Sequence, residues 1–144
     1  MPTPIALERY SISKLEIESL PVPSRGTLRY DMQFGFNLPK AKGGEHKLEL
    51  MVTVTGHIGK KKAGYQVSVK VSGIFRFPED TPSAHFSETL LYYGSTLLYG
   101  VLRGYMGTVT GLFSHGALNM PTVNMQEVIR QVLRSGALQG QASK

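Results

Sequence analysis

From Leu28 to Leu38 apolar and polar residues alternate without a break. Leu28, Tyr30, Met32, Phe34, Phe36 and Leu38 fall on one side, and Arg29, Asp31, Gln33, Gly35 and Asn37 on the other. Period two over so long a run specifies a β-strand with one apolar face, and such a face obliges the rest of the chain to cover it. Leu48, Leu50, Val52 and Val54 repeat the pattern, as do Tyr65, Val67, Val69 and Val71, continued by Phe75 and Phe77. The glycine- and lysine-rich stretch from Gly56 to Lys62 reads as the hairpin connection between these two strands. An earlier strand runs from about Leu7 to Glu18, and its alternation slips between Ile12 and Leu15, as a β-bulge would make it do.

After Pro82 the period changes. Leu90, Leu91, Leu97, Leu98, Val101, Leu102, Tyr105, Val109 and Leu112 follow helical spacing, with Ser87 as the expected N-cap. Gly100, Gly104, Gly107 and Gly111 lie on one stripe of this helix. Each glycine costs about 1 kcal/mol relative to Ala in a helix interior, so the stripe calls for close approach by another backbone: the sheet of the same chain, or a second subunit. Arg103 interrupts the apolar run well short of the roughly twenty residues a membrane span needs. A second helix starts near Met125, capped by Asn124 with Glu127 three residues on. Met125, Val128, Ile129, Val132 and Leu133 form its apolar stripe, and Gly136 ends it. The reading is one α+β domain over residues 1–136: a four-stranded antiparallel sheet, then one long and one short helix. Residues 137–144 are expected to be a loose tail.

The chain has 144 residues, 41% of them hydrophobic, and no cysteine. That supports one packed core and excludes thiolate chemistry and thiolate zinc sites. His46, His57, His85 and His115 share no ligand spacing and read as exposed polar residues. No nucleophile elbow, phosphate-binding turn or acid pair suited to general acid–base work is present, so no enzyme, metal or cofactor is expected. No charged segment followed by an apolar run opens the sequence, which makes the cytoplasm the expected location. The net charge of +6 permits an acidic partner. Lys40, Lys42 and Lys47 in one loop and Lys60, Lys61 and Lys62 in another make a basic nucleic-acid-binding module the rival class, though neither loop has aromatics to stack bases. The remaining feature is apolar surface. Met32, Phe34 and Phe36, with the stripe of the second helix, serve either as ordinary core or as a groove for apolar polypeptide segments.

Val52-Thr53-Val54-Thr55, followed after the hairpin by Ser72-Gly73-Ile74-Phe75, resembles the central hairpin of the SecB export chaperones. Leu118-Asn119-Met120-Pro121-Thr122-Val123-Asn124-Met125 resembles the segment joining the two helices of that family. The resemblance spans roughly residues 7–135. It implies a homotetramer built as a dimer of dimers, with the long helices sandwiched between two sheets, which would account for Gly100, Gly104, Gly107 and Gly111. It implies a chaperone that holds unfolded precursor polypeptides competent for export without nucleotide hydrolysis. Carried onto this chain, the client-binding residues are Met32, Phe34, Phe36, Val128, Ile129 and Val132. It also implies docking to the SecA motor through acidic residues of the outer sheet face. Of three such positions Glu18 keeps its acid, whereas Lys14 and Ser68 replace it. That charge suits a SecB-like chaperone dedicated to one partner, such as an antitoxin.

Overall fold

The computed structural model describes residues 5–39, 43–79, 81, 82, 84 and 86–135, together with the backbone of 139 and 140. His85, Lys40, Lys42 and Gly136 lie outside the described residues. Strands β1 (Ala6–Leu20), β2 (Arg29–Leu38), β3 (His46–Ile58) and β4 (Lys61–Arg76) form an antiparallel sheet in the order β1-β4-β3-β2. A two-residue strand, β5 (Gln139–Gly140), runs parallel to the end of β2. It falls within the segment expected to be a tail. The helical cover comprises α1 (Phe86–Thr89), a π-helical turn (Leu90–Gly94), α2 (Ser95–Thr110) and, after a linker, α3 (Met125–Ser135). The expected four-stranded antiparallel sheet with one long and one short helix is therefore present.

Cross-strand register explains why one face is apolar. Phe36, Leu50, Val71 and Ile12 form one rung, Phe34, Val52, Val69 and Leu15 the next, and Met32, Val54, Val67 and Ile17 the third. The β3 and β4 members of these rungs are fully buried. Two bulges keep β1 in step, at Glu8 and at Ser13, where the hydroxyl donates to the Lys70 carbonyl. The bulge at Ser13 is the slip legible in the sequence. It returns Leu15 and Ile17 to the inner face after Ile12.

Several local expectations change. The segment expected as a hairpin loop is mostly strand, since pairing continues to Ile58–Lys61 and leaves only Gly59 and Lys60 in the turn. Lys47 belongs to β3, opposite Ile74, rather than to a loop. Ser87 lies inside the first helical turn instead of capping it. The glycine that approaches the sheet is Gly94, where a Cβ would lie 3.0 Å from Leu48 Cδ2 and 3.2 Å from Phe75 Cζ. Gly100, Gly104 and Gly107 face open space, so the sheet of this chain is not their neighbour.

His46 also departs from its expected exposure. It is buried at the start of β3, edge-on to Phe77 and Phe86, whose rings stack at 4.5 Å. These three rings join the entry to the helices to the sheet. Burial lowers the His46 pKa below the ordinary value, so the folded state favours neutral imidazole. Its contribution to stability is complete above about pH 6.5 and is lost as pH falls from there through the folded value. Unfolding midpoints compared at pH 7.5 and pH 5 should drop less in His46→Gln than in the parent; equal drops would place the acid sensitivity elsewhere.

Candidate functional site

One helix cannot cover four strands. The π turn and α2 sit over β3 and β4, and α3 lies against the π turn and β2, which leaves an open flank on either side. On the β2 flank, Tyr30, Met32 and Phe34 follow one another on the inner face and are only half-buried. Phe34 meets Tyr99 of α2 edge-on, with ring centroids 5.8 Å apart. A cavity of about 350 Å³ opens beside them, lined by Val22, Leu28, Tyr30, Tyr65, His115 and Leu118 among others.

The linker from the end of α2 to α3 forms the far wall of this cavity, and side chains of the sheet and α2 hold its carbonyls. The Tyr65 hydroxyl donates to the Gly116 carbonyl, that of Tyr99 to the Pro121 carbonyl, and the Arg103 Nε–H to the Met120 carbonyl at 2.9 Å. Burial pushes the pKa of both tyrosines up, so they remain protonated donors. The buried Thr110 hydroxyl donates to the Met106 carbonyl and accepts the Leu118 N–H at 2.7 Å. His115 Nε2 donates to the Leu20 carbonyl at 2.8 Å, tying the linker to the end of β1. Asn124 Oδ1 accepts the Glu127 N–H at 3.2 Å, the N-cap its spacing predicts.

The six residues carried over as client-binding lie on β2 and α3, two elements that touch, but they are not equals. Phe36 and Ile129 are wholly buried, and Val132 nearly so. They form the floor. Met32, Phe34 and Val128 are half-buried and reach the surface. Val22, Leu28, Tyr30, His115 and Leu118 are not among the client-binding residues expected from the sequence. Val22, held between Pro21 and Pro23 and 40% exposed, carried the one available signal: an apolar residue fixed in a loop.

The opposite flank lies along β1. There Gly100 and Gly104 line a cavity of about 490 Å³ with Tyr10, Ile12, Val101 and Tyr105. A third groove, about 670 Å³, runs between the start of the helices and α3. Ile5, Tyr92, Tyr93 and Leu97 line it, with Glu88 and Arg130 also in its wall. The outer face of the sheet is polar, with Glu18 opposite Gln66, Glu16 opposite Ser68, and Lys14 opposite Lys70. Among the described residues no group of His, Cys, Asp or Glu could hold a metal ion, and no helix is long and apolar enough to cross a membrane.

No protein-family model and no curated protein sequence matches the chain. Among solved structures it is similar to the SecB-like chaperone Rv1957 of Mycobacterium tuberculosis, solved in complex with a ChAD peptide from the HigA1 antitoxin. The TM-score is 0.68 at 14% identity, over 84% of this chain and 91% of that one. The fold is SecB-like. A protein of unknown function from Streptococcus agalactiae aligns over 82% of this chain and 97% of its own, with 9% identity and a TM-score of 0.43.

Thr110 is the hinge pin of the groove's far wall. Thr110→Val strands the Leu118 N–H, and an unsatisfied buried donor costs about 1–3 kcal/mol. Urea unfolding should show a loss of that size, with faster hydrogen exchange at the Leu118 amide. A neutral substitution would mean that the linker is held elsewhere.

Proposed function

We propose that this chain is a non-enzymatic chaperone that holds unfolded polypeptide segments in the apolar groove along β2. The observation that carries this reading is the half-buried row Tyr30, Met32 and Phe34, whose first member lines the cavity between Val22 of the crossover and Leu118 of the linker. An extended segment laid beside such a row offers it alternate side chains, and many weak apolar contacts retain a chain without demanding its sequence. Met32, Phe34 and Val128 make the contacts, while Phe36, Ile129 and Val132 support them from beneath. The fold shared with a SecB-like chaperone supports the same reading. Neither nucleotide nor cofactor takes part, and the setting is the cytoplasm.

Two kinds of client fit such a groove: precursors kept competent for export, and one dedicated partner. Two observations favour the second. The solved structural neighbour carries an antitoxin peptide, and the outer face sets Lys14 and Lys70 beside its acids, poorly suited to docking SecA. The β1 flank has a separate role in this proposal. A second copy of the chain covers Gly100, Gly104, Gly107 and Gly111, and two such pairs give the tetramer.

Aggregation of a refolding test protein should be suppressed at a near-stoichiometric ratio. Phe34→Asp should weaken binding more than about tenfold, because burying such a side chain is worth about 1.5–3 kcal/mol. Val22→Asp, in an exposed loop that folding does not need, should do the same. Unchanged suppression by both folded variants would sink the groove. Light scattering should give a native mass of about 63 kDa, four chains of 15.8 kDa; a monomer at every concentration would remove the role given to the β1 flank.

A further inference from the structure

Elsewhere among the described residues the cations have partners. Arg9 and Arg76 bond Glu45 and Glu8, Lys47 and Lys70 flank Glu49, Lys14 lies by Glu16, and Arg130 and Arg134 share Glu127. Arg103 is bonded to the linker. Among the described residues only Arg25, Arg29, Lys60, Lys61 and Lys62 have neither an acid within 4 Å nor a hydrogen bond to their side chains, and all five are exposed. They share one end of the sheet. Arg29 pairs with His57, His57 with Lys62, and Ile58 with Lys61 across the strands. The crossover folds onto the same end, since a Cβ on Gly26 would lie 2.5 Å from Ile58 Cγ2 and one on Gly64 would lie 3.2 Å from Leu28. Of the acids on this end, Asp31 is engaged by His57 Nε2 at 2.8 Å, and Glu18 lies on β1 opposite Gln66, more than 4 Å from any of the five cations.

This cluster borders the groove: Arg25 and Arg29 alternate along the chain with Val22, Leu28 and Tyr30, which line the cavity. We propose, resting on the groove reading above, that the segments held there are apolar stretches flanked by acidic residues, with the flank bound by Arg25, Arg29, Lys60, Lys61 and Lys62. Five unneutralised cations repel one another in the free protein, and an acidic flank relieves that repulsion. A nucleic acid fits less well. The aromatic ring of this region, Tyr30, faces the inner side with its hydroxyl accepting the Tyr65 N–H, and it is not free to stack on bases.

The test uses the full chain and three labelled peptides with one apolar core and flanks of three Glu, three Gln or three Lys. The Glu-flanked peptide should bind at least about tenfold more tightly than the Lys-flanked one at low salt, as three screened charge pairs allow. That gap should close at about 0.5 M salt and in a variant carrying Lys60→Glu, Lys61→Glu and Lys62→Glu, while binding of the Gln-flanked peptide stays unchanged. Equal binding of all three peptides would overturn the acidic preference and leave the groove standing. Binding of none would remove both. A Glu-flanked peptide with a Gly/Ser core, or a DNA oligonucleotide, binding as tightly as the Glu-flanked apolar peptide would overturn the proposal in favour of a general polyanion site.

Discussion

Width decides the shape of this molecule. Four strands about 4.8 Å apart present an inner face roughly 19 Å across, while one helix with its side chains covers about 10 Å. The long helix is seated over the two central strands, where Gly94 lets it close onto Leu48 and Phe75 and where Leu98 lies over Gly73. Burial follows from that placement. Leu48, Leu50, Val52, Val67, Val69 and Val71 are sealed, and the inner residues of β1, with Tyr30, Met32 and Phe34 of β2, are covered only in part. Both flanking cavities are consequences of a single helix on a four-stranded sheet.

The strands were legible because period two is a local property: each run carries its own evidence, and the bulge at Ser13 shows as a change of parity within β1. The N-cap at Asn124 is local too, and the structure has it. What escaped was set by partners far along the chain. His46 looks like a residue at a loop edge until Phe77 and Phe86 are folded against it. The bulge at Glu8 leaves almost no sequence on its N-terminal side in which a parity change could show. Gly94 is invisible as a contact point because nothing in its neighbourhood says where the sheet will lie. Of the four glycines that do form a visible stripe, Gly100, Gly104 and Gly107 face open space. For the groove, the β2 and α3 residues could be named from the sequence, but which of them are floor and which are surface depends on how α3 tilts onto β2. The crossover and linker walls carry no periodicity at all.

Charge is distributed along the sheet as unevenly as cover is. At the end where the chain turns into the helices, acids and bases are interleaved. Glu49 is largely buried there, and burial alone would raise its pKa. The hydrogen bond from Asn37 at 2.7 Å and the ammonium groups of Lys70 and Lys47 outweigh that and hold it below the usual glutamate value. With Glu8, Glu45 and Glu49 set against Arg9, Lys47, Lys70 and Arg76, the network keeps one net positive charge and offers little to a partner. The hairpin end holds five cations with no acid within 4 Å, so much of the positive field of the described residues is concentrated beside the mouth of the β2 cavity.

An exposed apolar flank normally invites the cover to slide over it, since each additional apolar area removed from water is favourable. Here the cover is fixed at both ends. Gly94 and Leu98 seat the helix at one end, and Tyr65, through Gly116, holds its linker at the other, with Thr110 and Leu118 locking the linker to the helix between them. Shifting toward β2 would break these hydrogen bonds, at about 1–3 kcal/mol for each buried group left unsatisfied. Those costs exceed what covering Met32 and Phe34 slightly better would return. The flank therefore stays open in the folded chain, and only a ligand or a second polypeptide can complete its burial.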